Sequence, residues 1–120
     1  MMRTILKSKL HNARITGANL RYMGSITIPG DLMEKADILE NERVQVVNLD
    51  TGSRLETYVI TGERGSGEIL LNGPAARLGQ SGDTVHILTY ALMEDGDCAA
   101  FDPRVLILNE SNKIISEKKP

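Results

Sequence analysis

A chain of 120 residues is expected to form one domain by the usual size distribution, and 41% hydrophobic content is enough for a core. With no Trp, three Tyr and one Phe, the interior falls to Val, Ile, Leu and Thr, which favours closely packed strands. The net charge of −2 gives no reason to expect nucleic acid, the single Cys98 excludes an internal disulfide and a cysteine-based zinc cluster, and no apolar run reaches membrane-span length.

The N-terminus alternates polar and apolar residues without the apolar stretch of a signal peptide, so the expected compartment is the cytoplasm. Arg3, Lys7, Lys9, Arg14 and Arg21 all precede Asp31, the first acidic residue. Stacking aromatics are sparse there, so this local positive charge suits a small anion better than a nucleic acid.

Residues 3 to 11 alternate, with Arg3, Ile5, Lys7, Lys9 and His11 on one predicted face and Thr4, Leu6, Ser8 and Leu10 on the other. A short strand follows over Ser25 to Ile28, stopped by Pro29-Gly30. Asp31 and Glu34 have capping-box spacing and open a short predicted helix to about Ala36. Arg43 to Leu49 and Arg54 to Ile60 read as a hairpin turning at Asp50-Thr51-Gly52-Ser53.

Glu68 to Leu71 is another short strand, and Pro74 to Leu78 one helical turn begun by Pro74 and ended by Gly79. After the turn at Ser81-Gly82-Asp83 come strands over Thr84 to Met93 and Arg104 to Asn109. Residues 1–110 form the predicted domain, and the polar segment 111–120 reads as a frayed tail. Many short strands with Gly-rich turns predict a mainly β fold, closed or nearly closed into a barrel. His86, between Val85 and Ile87, reads as a plain strand residue, and two histidines without a cysteine or carboxylate cluster give no metal site.

Gly24-Ser25 is one of three Gly-Ser pairs, and its default reading is a turn entering a strand. Its surroundings differ from those of the other two. The basic strand with Lys9 and His11, the run Tyr22-Met23-Gly24-Ser25, Arg54-Leu55-Glu56-Thr57-Tyr58, Glu63-Arg64-Gly65-Ser66 and Asn72-Gly73 together resemble the bacterial aspartate 1-decarboxylase family. The resemblance runs from about Met1 to Asn109.

That resemblance implies a six-stranded double-psi β-barrel with short helices, assembled as a homotetramer with sites between subunits. It implies autocatalytic cleavage at Gly24-Ser25 into residues 1–24 and 25–120, with an accessory maturation protein as one conceivable partner. Ser25 then becomes a covalent pyruvoyl group, and neither metal nor pyridoxal phosphate is required. The substrate implied is L-aspartate, held through a Schiff base and decarboxylated to β-alanine, a precursor of pantothenate and coenzyme A. Residues matching Lys9 and Arg54 bind substrate, the one matching Thr57 serves both processing and substrate contact, and the one matching Tyr58 donates a proton. Tyr22 is a candidate to assist the acyl shift, and His11 is equally a candidate to line the site or to be a hydrogen-bonded structural residue. The loop Asn72-Gly73-Pro74-Ala75 meets substrate largely through backbone groups.

The residues suit those roles chemically. Gly before serine removes a Cβ that would obstruct attack of the hydroxyl on the preceding carbonyl. Arg54 offers a planar fork to a carboxylate, Lys9 a second cation, and Tyr58 an acid on the face of Arg54. Strict alternation puts Thr57 opposite Tyr58, so a twist, a bulge or a neighbouring subunit is needed for both to serve one site. Asn72 can hydrogen-bond a reacting group and Gly73 admits close backbone approach. Pro74 stands where many relatives carry alanine and removes one N–H donor, and Met23 replaces an acidic residue found in some relatives. The alternatives are an inert β-barrel binding module and a swapped-hairpin DNA-binding regulator, the latter at odds with the charge of −2.

Overall fold

In the computed structural model, which describes residues 1–20 and 24–118, strand β1 (Met2–Arg14) is the longest of the described strands. It pairs antiparallel with β7 (Thr84–Glu94) on one side and parallel with β8 (Arg104–Leu108) on the other. The remaining strands are β2 (Gly17–Asn19), β3 (Ser25–Pro29), β4 (Arg43–Asn48), β5 (Arg54–Gly62), β6 (Leu70–Asn72) and β9 (Ile114–Lys118). They hydrogen-bond in the order β2-β6-β3-β5-β4-β7-β1-β8-β9. The predicted mainly β class holds. Among the described residues there are nine strands, not the six expected, in an order consistent with a barrel.

Alternating inward residues build the core: Leu10, Ile26, Val46, Val59, Ile87 and Leu106 are each 2% exposed or less. The single alternating face predicted over residues 3 to 11 is broken. Ladder partners jump between Leu6 and Ser8 and again between Leu10 and Ala13, so β1 carries an extra residue at each place. The first bulge flips the alternation, leaving Ile5 and Ser8 on the inner face. Lys9 and His11 still share the outer face, opposite Val105 and Ile107 of β8.

The predicted hairpin of β4 and β5 forms, with Val47 facing Arg54 and Arg43 facing Tyr58. Pro74 sits in the first positions of a 3₁₀ helix, Gly73–Arg77. The helix α1 (Gly30–Ala36) also forms, but Asp31 does not cap it. Pro29 occupies the cap position, and Asp31 accepts a hydrogen bond from the Gly65 amide at 2.9 Å instead. Glu34 pairs with Arg64 at 2.9 Å, so the capping-box residues hold the Glu63-Arg64-Gly65-Ser66 turn.

The segment expected as a frayed tail is ordered through Lys118. Its strand β9 runs antiparallel to β8. Asn112, 2% exposed with φ 58°, accepts from the Arg14 amide at 2.7 Å and donates to the carbonyls of Arg14 and Gly67 at 2.9 and 2.8 Å. A second helix not expected from sequence, α2 (Asp95–Cys98), follows β7.

Candidate active site

Strand β3 begins at Ser25, whose side chain is fully buried. The antiparallel ladder between β3 and β6 sets Ser25 directly opposite Asn72. Asn72, 4% exposed, donates its side-chain amide to the Ser25 hydroxyl at 2.9 Å and to the Thr27 hydroxyl at 3.0 Å. It stands at the cap position of the 3₁₀ helix without capping it, because its amide is directed at β3. Gly73 follows with φ 60°, a left-handed conformation that glycine adopts without strain, and this turns the chain sharply after Asn72.

Gly24, one residue before the strand, opens onto a shallow groove of about 410 Å³. Thr57, Tyr58, Pro74 and Ala75 line the same groove, with Leu55 and Leu78 as apolar walls. The bare Cα of Gly24 faces the Pro74 ring, where an added Cβ would come within 3.3 Å of the ring Cδ. The groove therefore favours glycine at position 24.

Thr57 and Tyr58 both reach this groove, for a reason strand alternation does not capture. Along residues 54–58, β5 pairs only with β4 among the described residues, and its pairing with β3 begins at Val59. The groove runs along that open edge, so neighbouring residues border it from both faces of the strand.

Lys9, His11 and Arg54 are not among the groove's lining residues in a single chain. Arg54 is exposed at the start of β5. Lys9 and His11 are half-buried on β1. His11 stacks on His86 of β7, with ring centroids 4.1 Å apart and planes 14° from parallel. The Asn12 amide donates to His86 Nδ1 at 3.1 Å, which makes that nitrogen an acceptor. Burial, then the adjacent His11, then the Lys9 ammonium push the His86 pKa down to about 4. Burial and Lys9 also lower that of His11. Both rings are accordingly neutral at pH 7. Tyr22 and Met23 lie outside the described residues.

Two contacts were missed in the sequence. Thr27 shares the Asn72 amide with Ser25, and the only local sign of it is a hydroxyl two residues along the same strand. His86 left no signal, because its partners His11 and Asn12 lie on the distant β1. Among the described residues no group of three or more His, Cys, Asp or Glu is placed to hold a metal ion.

The arrangement of a buried serine behind a glycine, with donors and a phenol at the groove, can be set beside known proteins. Residues 1–115 match the family model described as aspartate decarboxylase. The chain is similar to the aspartate 1-decarboxylase of Shouchella clausii, at 57% identity over 96% of this chain and 91% of that protein. It is 54% identical to the Bacillus subtilis protein of the same name, over 95% of this chain and 90% of the relative. A third relative of that name, from Thermoanaerobacter pseudethanolicus, is 53% identical over 97% of this chain and 99% of its own length. With its sequence matched almost from end to end, the chain belongs to the aspartate decarboxylase family.

Proposed function

We propose that the chain cuts its own backbone between Gly24 and Ser25 and then decarboxylates L-aspartate at the α-carboxylate to β-alanine and carbon dioxide. The observation that carries this reading is the junction itself. Gly24 opens on the groove beside Thr57 and Tyr58, while Ser25 is buried behind it with the Asn72 amide on its hydroxyl.

The cut follows from the serine hydroxyl attacking the Gly24 carbonyl carbon. The hydroxyl loses its proton, the C–N bond breaks, the freed amine gains a proton, and Gly24 becomes an ester on Ser25 Oγ. Thr57, at the groove, is the side chain we assign to steadying the developing oxyanion. Loss of the Ser25 α-proton and cleavage of its Cβ–O bond release Gly24 as a carboxylate. Hydrolysis of the remaining dehydroalanine gives ammonia and a pyruvoyl group at residue 25.

The site fits such a group: position 25 needs no cofactor-binding domain, and its neighbours are small or hydrogen-bonding. A pyruvoyl ketone supplies an electron sink for the pair left when carbon dioxide departs. Tyr58 borders the groove and is assigned to return a proton to the α-carbon. The backbone of Gly73 and Ala75 and the side chain of Asn72 are assigned to substrate contact. Pro74 contributes no N–H, so its part is to wall the groove and abut Gly24.

Lys9 and Arg54 are assigned to the two carboxylates of aspartate, with His11 near Lys9. Their absence from the single-chain groove supports sites completed by a second copy in a homotetramer. β-Alanine from this reaction would feed pantothenate and coenzyme A synthesis in the cytoplasm. Denaturing mass spectrometry tests the cut, with fragments 1–24 and 25–120 and a pyruvoyl terminus at 25 as the expected result. A single intact chain of 13.2 kDa in protein that converts aspartate would overturn the reading.

A further inference from the structure

We infer that Thr27 is a positioning residue for the cut, holding the Asn72 amide so that its nitrogen, not its oxygen, faces Ser25. The inference rests on the proposed cleavage at Gly24-Ser25. Ser25 and Thr27 are two apart on β3 and therefore present their hydroxyls to the same face. Asn72 sits opposite Ser25 across the ladder, within reach of both.

The amide nitrogen carries two hydrogens, and each has a hydroxyl oxygen, Ser25 Oγ at 2.9 Å and Thr27 Oγ1 at 3.0 Å. Without the Thr27 oxygen, one amide hydrogen in this nearly buried residue loses its acceptor. Turning the amide by half a rotation then becomes competitive, and that brings Oδ1 against Ser25. The two orientations differ chemically. A nitrogen donor on Oγ stabilises the negative charge that grows as the hydroxyl gives up its proton. An oxygen there would instead accept the serine proton and offer that charge nothing.

Thr27 is itself held. A Cβ at Gly62 would lie 2.9 Å from the Thr27 methyl, so that methyl packs over the bare backbone of Gly62. With the methyl seated there, the hydroxyl is directed toward Asn72. Gly62 thus acts on the site through Thr27 without touching Ser25.

Thr27→Val keeps the shape and removes the acceptor; it is expected to slow cleavage about tenfold, while Thr27→Ser cleaves within about threefold of the wild type. Cleavage is followed by denaturing mass spectrometry on freshly refolded chain. Equal rates for wild type and Thr27→Val overturn the inference, as does an equal loss in Thr27→Ser and Thr27→Val. Should Thr27→Val fail to fold, Thr27→Ala is judged by the same outcomes.

A second measurement separates this inference from the reading beneath it. In the uncleavable Ser25→Ala chain, the Asn72 side-chain amide proton directed at Thr27 keeps its acceptor and is expected to give a slowly exchanging NMR signal, and adding Thr27→Val should abolish that protection. Unchanged signals overturn the Thr27–Asn72 lock. A wild-type chain that never cuts overturns the cleavage reading instead, whatever the signals show.

Discussion

The Asn72 amide meets the Ser25 hydroxyl at 2.9 Å across the β3–β6 ladder, in a place closed to solvent on both sides of the bond. Ser25→Ala removes only an oxygen from this position and leaves the strand register intact. The variant is expected to fold, to remain one chain on denaturing mass spectrometry, and to yield no β-alanine from aspartate. A cut or active Ser25→Ala protein would sink the proposed chemistry.

Tyr58 lies half-buried beside the groove, and its ring can be kept while its proton is removed. Tyr58→Phe is expected to cleave at Gly24-Ser25 but to lose about a hundredfold or more in turnover, the usual scale for a missing general acid. Turnover at the wild-type rate would take the role away from Tyr58.

The stacked His11–His86 pair predicts a pH dependence of stability. The native pKa of His86 lies near 4, below the unfolded value of 6.5, so the unfolded chain binds the proton more readily. The contribution is therefore fully present above about pH 6.5 and is lost as pH falls toward 4. Solvent screening of a half-buried ring limits the effect to about 1 kcal/mol. Urea melts of His86→Gln and wild type at pH 7 and pH 5 check this. The wild type should lose more stability between the two, and parallel losses would contradict the argument.

Lys7 occupies the first bulge of β1, which directs it toward the loop after α1. Its ammonium donates to the Asp37 carbonyl and to Glu42, each at 2.6 Å, with both charged side chains about four-fifths buried. Glu42 is committed as well, accepting from the Leu39 amide at 3.0 Å. Lys7→Met leaves that carboxylate short of its partner and should cost about 2 kcal/mol in a urea melt. A cost under about 0.5 kcal/mol would place this pair with ordinary surface contacts.

Local signals in the chain told the truth where the structure is local. The Arg43–Asn48 and Arg54–Gly62 hairpin, the strand after Ser25 and the proline-led turn at Pro74 all depend on neighbours in sequence. The misreadings share a different origin. Asp31 and Glu34 have capping-box spacing, yet Gly65 and Arg64 compete for both carboxylates from across the fold. The polar segment after Ser111 looked unstructured because its anchor, Asn112, bonds to Arg14 and Gly67, far away in the chain. Thr57 and Tyr58 seemed incompatible because the open edge of β5 exists only once β3 has docked beyond it. That Gly24, Thr57, Tyr58, Pro74 and Ala75 border one groove depended on strand edges, which residue identities alone do not reveal.

Strand β1 has one last consequence. A break after Gly24 would place this strand, with β2, on a separate fragment, still paired with β7 along most of its length and with β8 over Ser8–His11. The short piece would not drift away, and both fragments should copurify. Once denatured, however, they would have to find each other again in a bimolecular encounter, where the intact precursor needed only to fold on itself. The cut would make folding a one-way event: the molecule is assembled once, as a single chain, and thereafter preserves a shape that it no longer has the connectivity to regain readily.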